Sequence, residues 1–251
     1  MQRAELHFHL LPDVDDGPVD LDEAIELARL AVADGTSLVT VTPHVRDLLA
    51  QGILAEVPAR VRDVAAALQA AGVPLEVGAG AELAHDDVPL LADRDLDAIA
   101  QGPRGARWVL LEAPLFGGDL DGFLAATDEV RARGFGTLIG HPERCAVLMQ
   151  DPGAVAAERR AGARMQVNGS SLTGLHGADA RAWGVRLLRA GDADLIASDA
   201  HRPSRPPVLS AALDELVADG MARGASETLV GAVPRALLRH GIALPARVRA
   251  A

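Results

Sequence analysis

Aromatic residues are scarce in this chain. It contains no tyrosine, and four phenylalanines and two tryptophans make up only 2% of its 251 residues. Proteins that bind single-stranded nucleic acid stack bases on aromatic side chains, so a stacking platform is not expected. Basic residues are also few, since 24 Lys and Arg face 35 Asp and Glu and leave a net charge of −11. This charge argues against a groove that binds nucleic-acid phosphates, and we expect no nucleic-acid partner.

Cysteine is nearly absent as well. Cys145 is the single cysteine, which excludes a disulfide within the chain and any C-x-x-C zinc or redox motif. The amino terminus carries no basic and apolar leader, and no apolar run approaches the ~18 residues that a membrane-spanning helix needs. We therefore expect a cytoplasmic protein without membrane insertion. With 49% hydrophobic residues, the chain can bury a substantial core.

Short β-branched runs alternate with longer amphipathic stretches along the whole chain. Seven runs predict strands, which we place at residues 4–10, 37–42, 74–77, 107–111, 136–140, 164–167 and 194–198. The strands recur about every 30 residues with helical chain between them, as in a parallel βα barrel. No linker or change in composition divides the chain. The pattern predicts an α/β fold, a (β/α)7 TIM-like barrel, in which residues 1–251 form a single domain and the last ~10 residues are a tail.

Polar residues follow nearly every predicted strand at its carboxyl end. They are His44, Glu82, Glu112, His141, Asn168, Asp199 and His201. In a βα barrel these strand ends converge on one face, and that face carries the chemistry of such barrels. In the first strand His7 and His9 lie two residues apart, so both side chains leave the same face and can bind one metal ion.

Each of these residues alone has an ordinary alternative role. A histidine after Thr-Pro suits a turn, a glutamate after a strand suits a helix cap, and Ser-Asp-Ala-His suits an N-cap with its neighbour. When Asp16 is included, however, the candidates are five histidines and four carboxylates, a set of nitrogen and oxygen donors without thiolate. Such a set favours Mn, Fe or Zn in a multinuclear site. Nine donors suffice for three ions only if water or substrate completes the coordination, so open positions and catalysis are implied.

Nine short motifs occur in order along the chain. They are HFH, DVDDG, TPH, GAE, LLE, GHPER, VNGSSL, SDAH and RPP. This order resembles the PHP (polymerase and histidinol phosphatase) superfamily, and specifically the CpsB/YwqE-type bacterial protein-tyrosine phosphatases, over nearly the whole chain. The resemblance implies the PHP fold, a distorted seven-stranded barrel with a trinuclear metal centre, and metal-dependent protein-tyrosine phosphatase activity.

The resemblance also implies cofactors and a partner. The cofactors are three divalent metal ions, with Mn preferred and Fe or Zn as alternatives. The partner is a phosphotyrosine-bearing protein, the tail of a bacterial tyrosine autokinase, and the biological context is exopolysaccharide or capsule regulation. The sequence makes no prediction of oligomeric state.

Carried over by position, the resemblance implies three groups of metal ligands. The first ion would bind His7, His9, Glu82 and Asp199, the second Glu82, Glu112 and His141, and the third Asp16, His44 and His201. Glu82 is the bridge between the first two ions. Asp16 is chosen over Asp15 because in the family the ligand aspartate directly precedes the glycine. Asp15 then becomes a capping residue or a support for a ligand.

Two arginines match family positions near the phosphate. They are Arg144 of HPER and Arg205 of RPP, whose planar guanidinium groups suit paired binding of phosphate oxygens. For Arg144 the alternative role is an ion pair with Glu143. The segment from SDAH to RPP is one residue shorter than in the family, so Arg202 is an alternative to Arg205. Val45 stands where the family often has a second histidine.

Other polar residues have open roles. His85 and His176 lie in predicted loops and are candidates for substrate contact or for solvated surface, whereas Asn168 is a candidate hydrogen-bond donor or a turn residue. His201 or a water molecule could supply a proton to the leaving group. Cys145 is not expected to be a nucleophile, because a thiol phosphatase needs an arginine six residues later and aspartate stands there. Rival functions are a histidinol phosphatase or other PHP-type phosphoesterase, a metal-dependent amide hydrolase, and a non-catalytic metal-binding regulatory module.

Overall fold

The strands of the protein run parallel and pair in sequence order. The computed structural model describes residues 2–115 and 118–245, and the strands within these ranges are β1 (Arg3–Phe8), β2 (Thr36–Val41), β3 (Glu76–Ala79), β4 (Glu82–Ala84), β5 (Trp108–Glu112), β6 (Gly136–Gly140), β7 (Arg164–Asn168) and β8 (Leu195–Ala197). One sheet has the order β1-β2-β3, and the other has the order β4-β5-β6-β7-β8. Short polar turns at the carboxyl ends of these strands supply the candidate site.

Two bridges join the edges of the sheets into a ring. Phe8 at the end of β1 pairs with Ala200, which follows β8. On the other side His44, which follows β2, pairs with Glu82 at the start of β4, and Glu82 N donates to Pro43 O at 3.0 Å. The ring is a distorted TIM-like barrel, which confirms the predicted fold class.

The third of the seven predicted strands, residues 74–77, is wrong in its extent, because two short pieces of strand lie here, β3 and β4, and the prediction covers only the first half of β3. Gly80 and Ala81 separate the two pieces. A Cβ on Gly80 would lie 2.7 Å from Gln101 Nε2 and 2.9 Å from Thr40 Cγ2, so a larger residue would force these side chains to shift. Across the break the chain changes its partner from β2 to β5. The described residues therefore form eight strands at the seven predicted positions of the barrel.

Helices follow the strands and pack against them. They are α1 (Leu21–Ala33), α2 (Val45–Gln51), α3 (Val57–Ala70), α4 (Asp93–Ile99), α5 (Leu120–Ala132), α6 (Ala146–Gln150), α7 (Pro152–Arg160), α8 (Gly169–Leu172), α9 (Ala178–Ala190), α10 (Leu209–Ala218), α11 (Arg223–Thr228) and α12 (Ala232–His240). Asp20 caps α1 by accepting from Glu23 N at 2.9 Å, as the spacing of these two residues predicts. None of the described helices combines the length and apolar character that crossing a membrane requires.

An apolar cluster packs below the polar strand ends. Trp108 and Leu110 of β5 are fully buried and share a face of the strand with Glu112, because side chains two residues apart point the same way. Residues of α12 and the buried Ile242 pack against this cluster. Ile242 lies at the start of the predicted tail, and its side chain is only 3% exposed. Residues 246–251 of the tail lie outside the described residues.

Candidate metal centre

The predicted ligands meet at the carboxyl end of the barrel, although the chain supplies them from far-apart segments. At two of these strand ends the backbone enters the left-handed region, with φ of 36° at His141 and 53° at Asp199. Residues other than glycine adopt this region at a cost, and such residues concentrate at functional sites. The chain turns sharply after β6 and β8, and both side chains contact the same cluster.

The first group contains two histidines and two carboxylates, all buried. His7 Nε2 lies 3.1 Å from both Glu82 Oε2 and Asp199 Oδ1, and His9 Nε2 lies 3.3 Å and 3.5 Å from the same two oxygens. Despite these distances, both Nε2 atoms and Asp199 Oδ1 lack a hydrogen-bond partner among the described residues. Buried polar atoms without partners are costly, and here they converge on one point as ligands around a cation do. This arrangement fits a divalent metal ion.

The second group shares Glu82 with the first. His141 Nε2 lies 3.0 Å from Glu82 Oε1 and 3.8 Å from Glu112 Oε1. Glu82 therefore turns one oxygen to His141 and the other to the first group, which is the geometry of a bridging carboxylate. His44 Nδ1 also lies 3.2 Å from Glu82 Oε2. This contact joins the second group to the third and was not predicted from the sequence.

The third group lies closer to solvent. Asp16 Oδ1 lies 3.1 Å from His201 Nε2 and 3.4 Å from His44 Nε2, and the Asp16 side chain is 58% exposed. His9 is also within reach of these atoms, and its ring stacks on that of His201 with centroids 3.7 Å apart. The structure thus brings together all nine residues predicted as ligands, and the cluster they form can hold metal ions.

Asp15 hydrogen-bonds to two of the candidate ligands, His9 and His44, and is not itself a member of the three groups. Its buried Oδ2 accepts from His9 Nδ1 at 2.7 Å and from His44 N at 3.0 Å, while Oδ1 accepts from Gly17 N at 2.9 Å. The bond to Nδ1 leaves the lone pair of His9 on Nε2, which faces the first group. A carboxylate that fixes the tautomer of a metal-binding histidine is a common partner in metal sites.

A chain of side-chain amides holds His7 and Asp199 in the same way. His7 Nδ1 donates to Gln166 Oε1 at 2.9 Å, and Gln166 Nε2 donates to Asn168 Oδ1 at 2.7 Å. Asn168 Nδ2 then donates to Asp199 Oδ2 at 2.9 Å. The sequence singled out Asn168 but missed Gln166. The available signal was its position two residues earlier on the same face of β7.

Both predicted phosphate-binding arginines border the cluster. Arg144 Nη1 lies 3.5 Å from Asp199 Oδ2, and Arg205 Nη2 lies 3.7 Å from the same oxygen. Arg205 Nη1 also lies 3.2 Å from Asp16 Oδ2. By contrast, Arg202 pairs with Glu23 at 3.1 Å and does not reach the cluster. Of the two alternatives in this segment, Arg205 is the one that the fold directs to the site.

The alternative role of Arg144, an ion pair with Glu143, does not occur. Glu143 is buried and accepts instead from Asn168 N at 3.0 Å and from Ser171 Oγ at 2.6 Å. Burial raises its pKa despite these bonds and the nearby His141. Arg144 therefore forms no ion pair with Glu143.

The remaining candidates lie around the rim of the cluster. His85 Nε2 lies 3.1 Å from Asp86 Oδ1, and its ring meets Phe123 edge-on. His176 Nε2 lies 3.0 Å from Ser170 Oγ, and burial followed by the charge of Arg144 lowers its pKa to about 4. Cys145 is buried, which raises the pKa of its thiol and opposes a role as nucleophile.

Opposite charges dominate the electrostatics of the cluster. Burial lowers the pKa of His7, but the Glu82 and Asp199 carboxylates outweigh burial and raise it to about 9. Burial raises the pKa of both carboxyls, yet His7 and the neighbouring imidazoles bring them well below their usual range. Glu112 differs, because burial and the charge of Glu82 raise its pKa. The raised pKa values of His7 and His9 favour their protonated forms, so a divalent ion that binds these two histidines must displace protons.

Similarity to known proteins identifies the family of this chain. A family described as "Capsular polysaccharide synthesis, CpsB/CapC" matches residues 3–239 of the chain. The chain belongs to the CpsB/CapC family. Its membership confirms the resemblance drawn from the nine motifs.

Relatives and a solved structure agree with this membership. The tyrosine-protein phosphatase YwqE of Bacillus subtilis (strain 168) is 30% identical over 207 residues, which cover 78% of this chain and 76% of YwqE. CapC of Staphylococcus aureus is 26% identical over 208 residues, which cover 82% of this chain and 79% of CapC. A crystal structure from work on YwqE and Streptococcus pneumoniae CpsB, described as metal-dependent tyrosine phosphatases, matches with a TM-score of 0.78. It has 25% identity and covers 96% of both chains.

Proposed function

We propose that this CpsB/CapC-family protein is a metal-dependent protein-tyrosine phosphatase that hydrolyses phosphotyrosine. The observation that carries the proposal is the cluster itself, in which buried imidazole and carboxylate atoms without hydrogen-bond partners face two arginines across Asp199. Cations and a phosphate group are the two kinds of ligand that such an arrangement recognises. The relative YwqE, named as a tyrosine-protein phosphatase, supports the same function.

The proposed cofactors are three divalent ions, with Mn preferred and Fe or Zn as alternatives. The ligand set contains nitrogen and oxygen donors but no thiolate, which suits these metals. We assign His7, His9, Glu82 and Asp199 to one ion, Glu82, Glu112 and His141 to the second, and Asp16, His44 and His201 to the third. When bound, such ions stabilise charge on the phosphoryl oxygens and lower the pKa of water at neutral pH.

Arg144 and Arg205 are proposed to hold the phosphate. Their guanidinium groups both approach Asp199 Oδ2, at 3.5 Å and 3.7 Å, so both are directed to the cluster before a substrate arrives. A planar fork of N–H donors binds two phosphate oxygens at once. In the transition state the charge spreads over the equatorial oxygens, where these donors stabilise it.

One hydrogen bond supports a ligand role for His201 over the proton-donor role that the sequence left open. His201 Nδ1 donates to the backbone oxygen of Asp199 at 2.8 Å, so the lone pair lies on Nε2, next to Asp16. A nitrogen that binds an ion cannot also carry a proton to the leaving group. A tyrosyl leaving group has a pKa of about 10, so water can protonate it without a strong general acid.

The wider assignments belong to the same proposal. We propose a tail of a bacterial tyrosine kinase as the partner, exopolysaccharide or capsule regulation as the context, and the cytoplasm as the location. The assignment of residues 1–251 to one metallophosphatase domain is part of the proposal as well.

A chelator experiment tests the proposed function. After exchange into a metal-free buffer containing a chelator, the protein should lose turnover of a phosphotyrosyl peptide, and added Mn²⁺ should restore it. The same preparation should hydrolyse histidinol phosphate more slowly, because the aryl leaving group is the better one. Phosphatase activity that survives exhaustive chelation contradicts the mechanism. Faster turnover of histidinol phosphate contradicts the substrate.

A further inference from the structure

A cavity of about 300 Å³ opens beside Asp199 and Arg205. Besides these charged groups it is lined by three apolar residues, Leu175, Pro206 and Val208, and by four residues with hydroxyl groups, Ser170, Thr173, Ser198 and Ser204. Its volume lies at the lower end of the range for cavities that hold small ligands. The cavity thus combines a phosphate-binding arginine with an apolar lining.

Leu175 is an exposed apolar residue of this lining. Its side chain is 67% exposed, although the backbone around it is held in a tight turn. Leu175 N donates to Ser170 O at 3.0 Å, and Gly174 on one side and Gly177 on the other adopt φ near 90°. A single exposed leucine is ordinary on a protein surface. Here, however, the turn holds it in the wall of a cavity that borders the candidate metal centre.

Two other cavities also border the cluster, but polar groups make up a larger share of their lining. One, of about 130 Å³, has four carboxylates in its lining, which are Asp47, Glu82, Asp87 and Glu112. The other, of about 360 Å³, is lined by three apolar residues, Leu115, Met149 and Ala180, and by three polar or charged ones, Arg144, His176 and Asp179. An apolar group attached to the phosphate would leave water most favourably in the cavity lined by Leu175.

We propose that this cavity binds the aromatic ring of an aryl phosphomonoester, and that Leu175 determines the preference for aryl over alkyl esters. This inference rests on the proposed phosphatase function. The phosphoryl group would lie at the Asp199 and Arg205 end, and the ring would cover Leu175 and Pro206. A methyl or seryl group is too short to cover them, so truncation of Leu175 should weaken aryl ligands selectively.

Phosphonates test this inference without a leaving group. Calorimetry on the Mn-loaded full-length protein gives the Kd of phenylphosphonate, methylphosphonate and inorganic phosphate for the wild type and for Leu175→Ala. We expect Leu175→Ala to weaken phenylphosphonate about 10-fold, within the range for lost apolar contacts in a pocket, and to leave the other two ligands unchanged. Leu175→Met, which keeps the apolar volume, should restore most of the affinity.

Leu90→Ala is the matched control, because Leu90 is 68% exposed and does not line this cavity. Equal phenylphosphonate affinity in the wild type and Leu175→Ala overturns the inference, as does an equal loss in Leu90→Ala. Turnover of p-nitrophenyl phosphate by the same wild-type sample is measured in parallel. If turnover is absent, the proposed function fails, and this outcome is distinct from a Leu175 variant that binds normally.

Discussion

Asp15→Asn should weaken metal binding although Asp15 is not one of the assigned ligands. The Asp15 side chain is fully buried and its two oxygens accept from His9 Nδ1, His44 N and Gly17 N at 2.7 to 3.0 Å. Asparagine has the same size but only one acceptor oxygen. Whichever way the amide is turned, its NH₂ group faces at least one of these donors. The substitution therefore removes a charge-assisted bond and lets the His9 ring lose its fixed orientation.

The expected loss follows from the role of such partners in metal sites. Removing one carboxylate that orients a ligand histidine costs about 10- to 100-fold in metal affinity. This loss equals roughly 1.4 to 2.7 kcal/mol of binding free energy. The measurement is a Mn²⁺ titration of the metal-free protein against a competing chelator, with elemental analysis of the loaded protein. Thermal unfolding of the metal-free variant shows that it is folded.

Asp16→Asn is the matched variant, because Asp16 is the neighbouring aspartate and is assigned as a ligand. We expect Asp15→Asn to keep three ions at saturation with weaker affinity, whereas Asp16→Asn should lose the ion of the third group. Wild-type affinity in Asp15→Asn would refute the argument from its hydrogen bonds. Loss of an ion in Asp15→Asn but not in Asp16→Asn would show that the ligand is Asp15.

Three further predictions concern other parts of the structure. Gln166→Leu breaks the amide chain between two ligands and should weaken Mn²⁺ binding about 10- to 100-fold in the same titration, and an unchanged affinity would contradict that role. Glu158→Leu leaves Arg131 without its buried partner at 2.6 Å, so urea denaturation should show that the free energy of unfolding falls by about 3 kcal/mol. The added substitution Arg131→Met should largely reverse this loss. The His176 imidazole should titrate at about pH 4 by NMR and be neutral above it, and Arg144→Gln should raise this midpoint, since the Arg144 charge contributes to the low pKa. A midpoint near the ordinary pKa of about 6.5 in the wild type would contradict the burial argument.

The candidate ligands were predictable because their positions follow from local patterns. A βα barrel brings the carboxyl ends of its strands to one face, so polar residues that follow apolar runs are expected to meet. His7 with His9, His141 and Asp199 were found by this reasoning, and the structure brings them together. The family was recognisable for the same reason, since its motifs are these strand ends.

The supporting contacts were not predictable in the same way. Gln166 lies inside β7, and its position two residues before Asn168 indicates a shared face but not a partner, because only the fold places it against His7. The choice between Arg202 and Arg205 depends on a turn in which Arg205 N donates to Arg202 O at 2.8 Å. This turn directs one arginine to Glu23 and the other to the cluster. The spacing of the two arginines in the sequence does not show which of them points to the cluster.

By itself the sequence determined the types of donor, their order along the chain and the barrel that collects them, because these depend on periodicity and on residues a few positions apart. The tertiary structure alone decided that Glu82 turns its two oxygens to different groups and that His9 reaches both the first group and the third. It also decided that the third strand breaks at Gly80. These features depend on distances between atoms on strands far apart in the chain, and such distances are fixed only when the barrel closes.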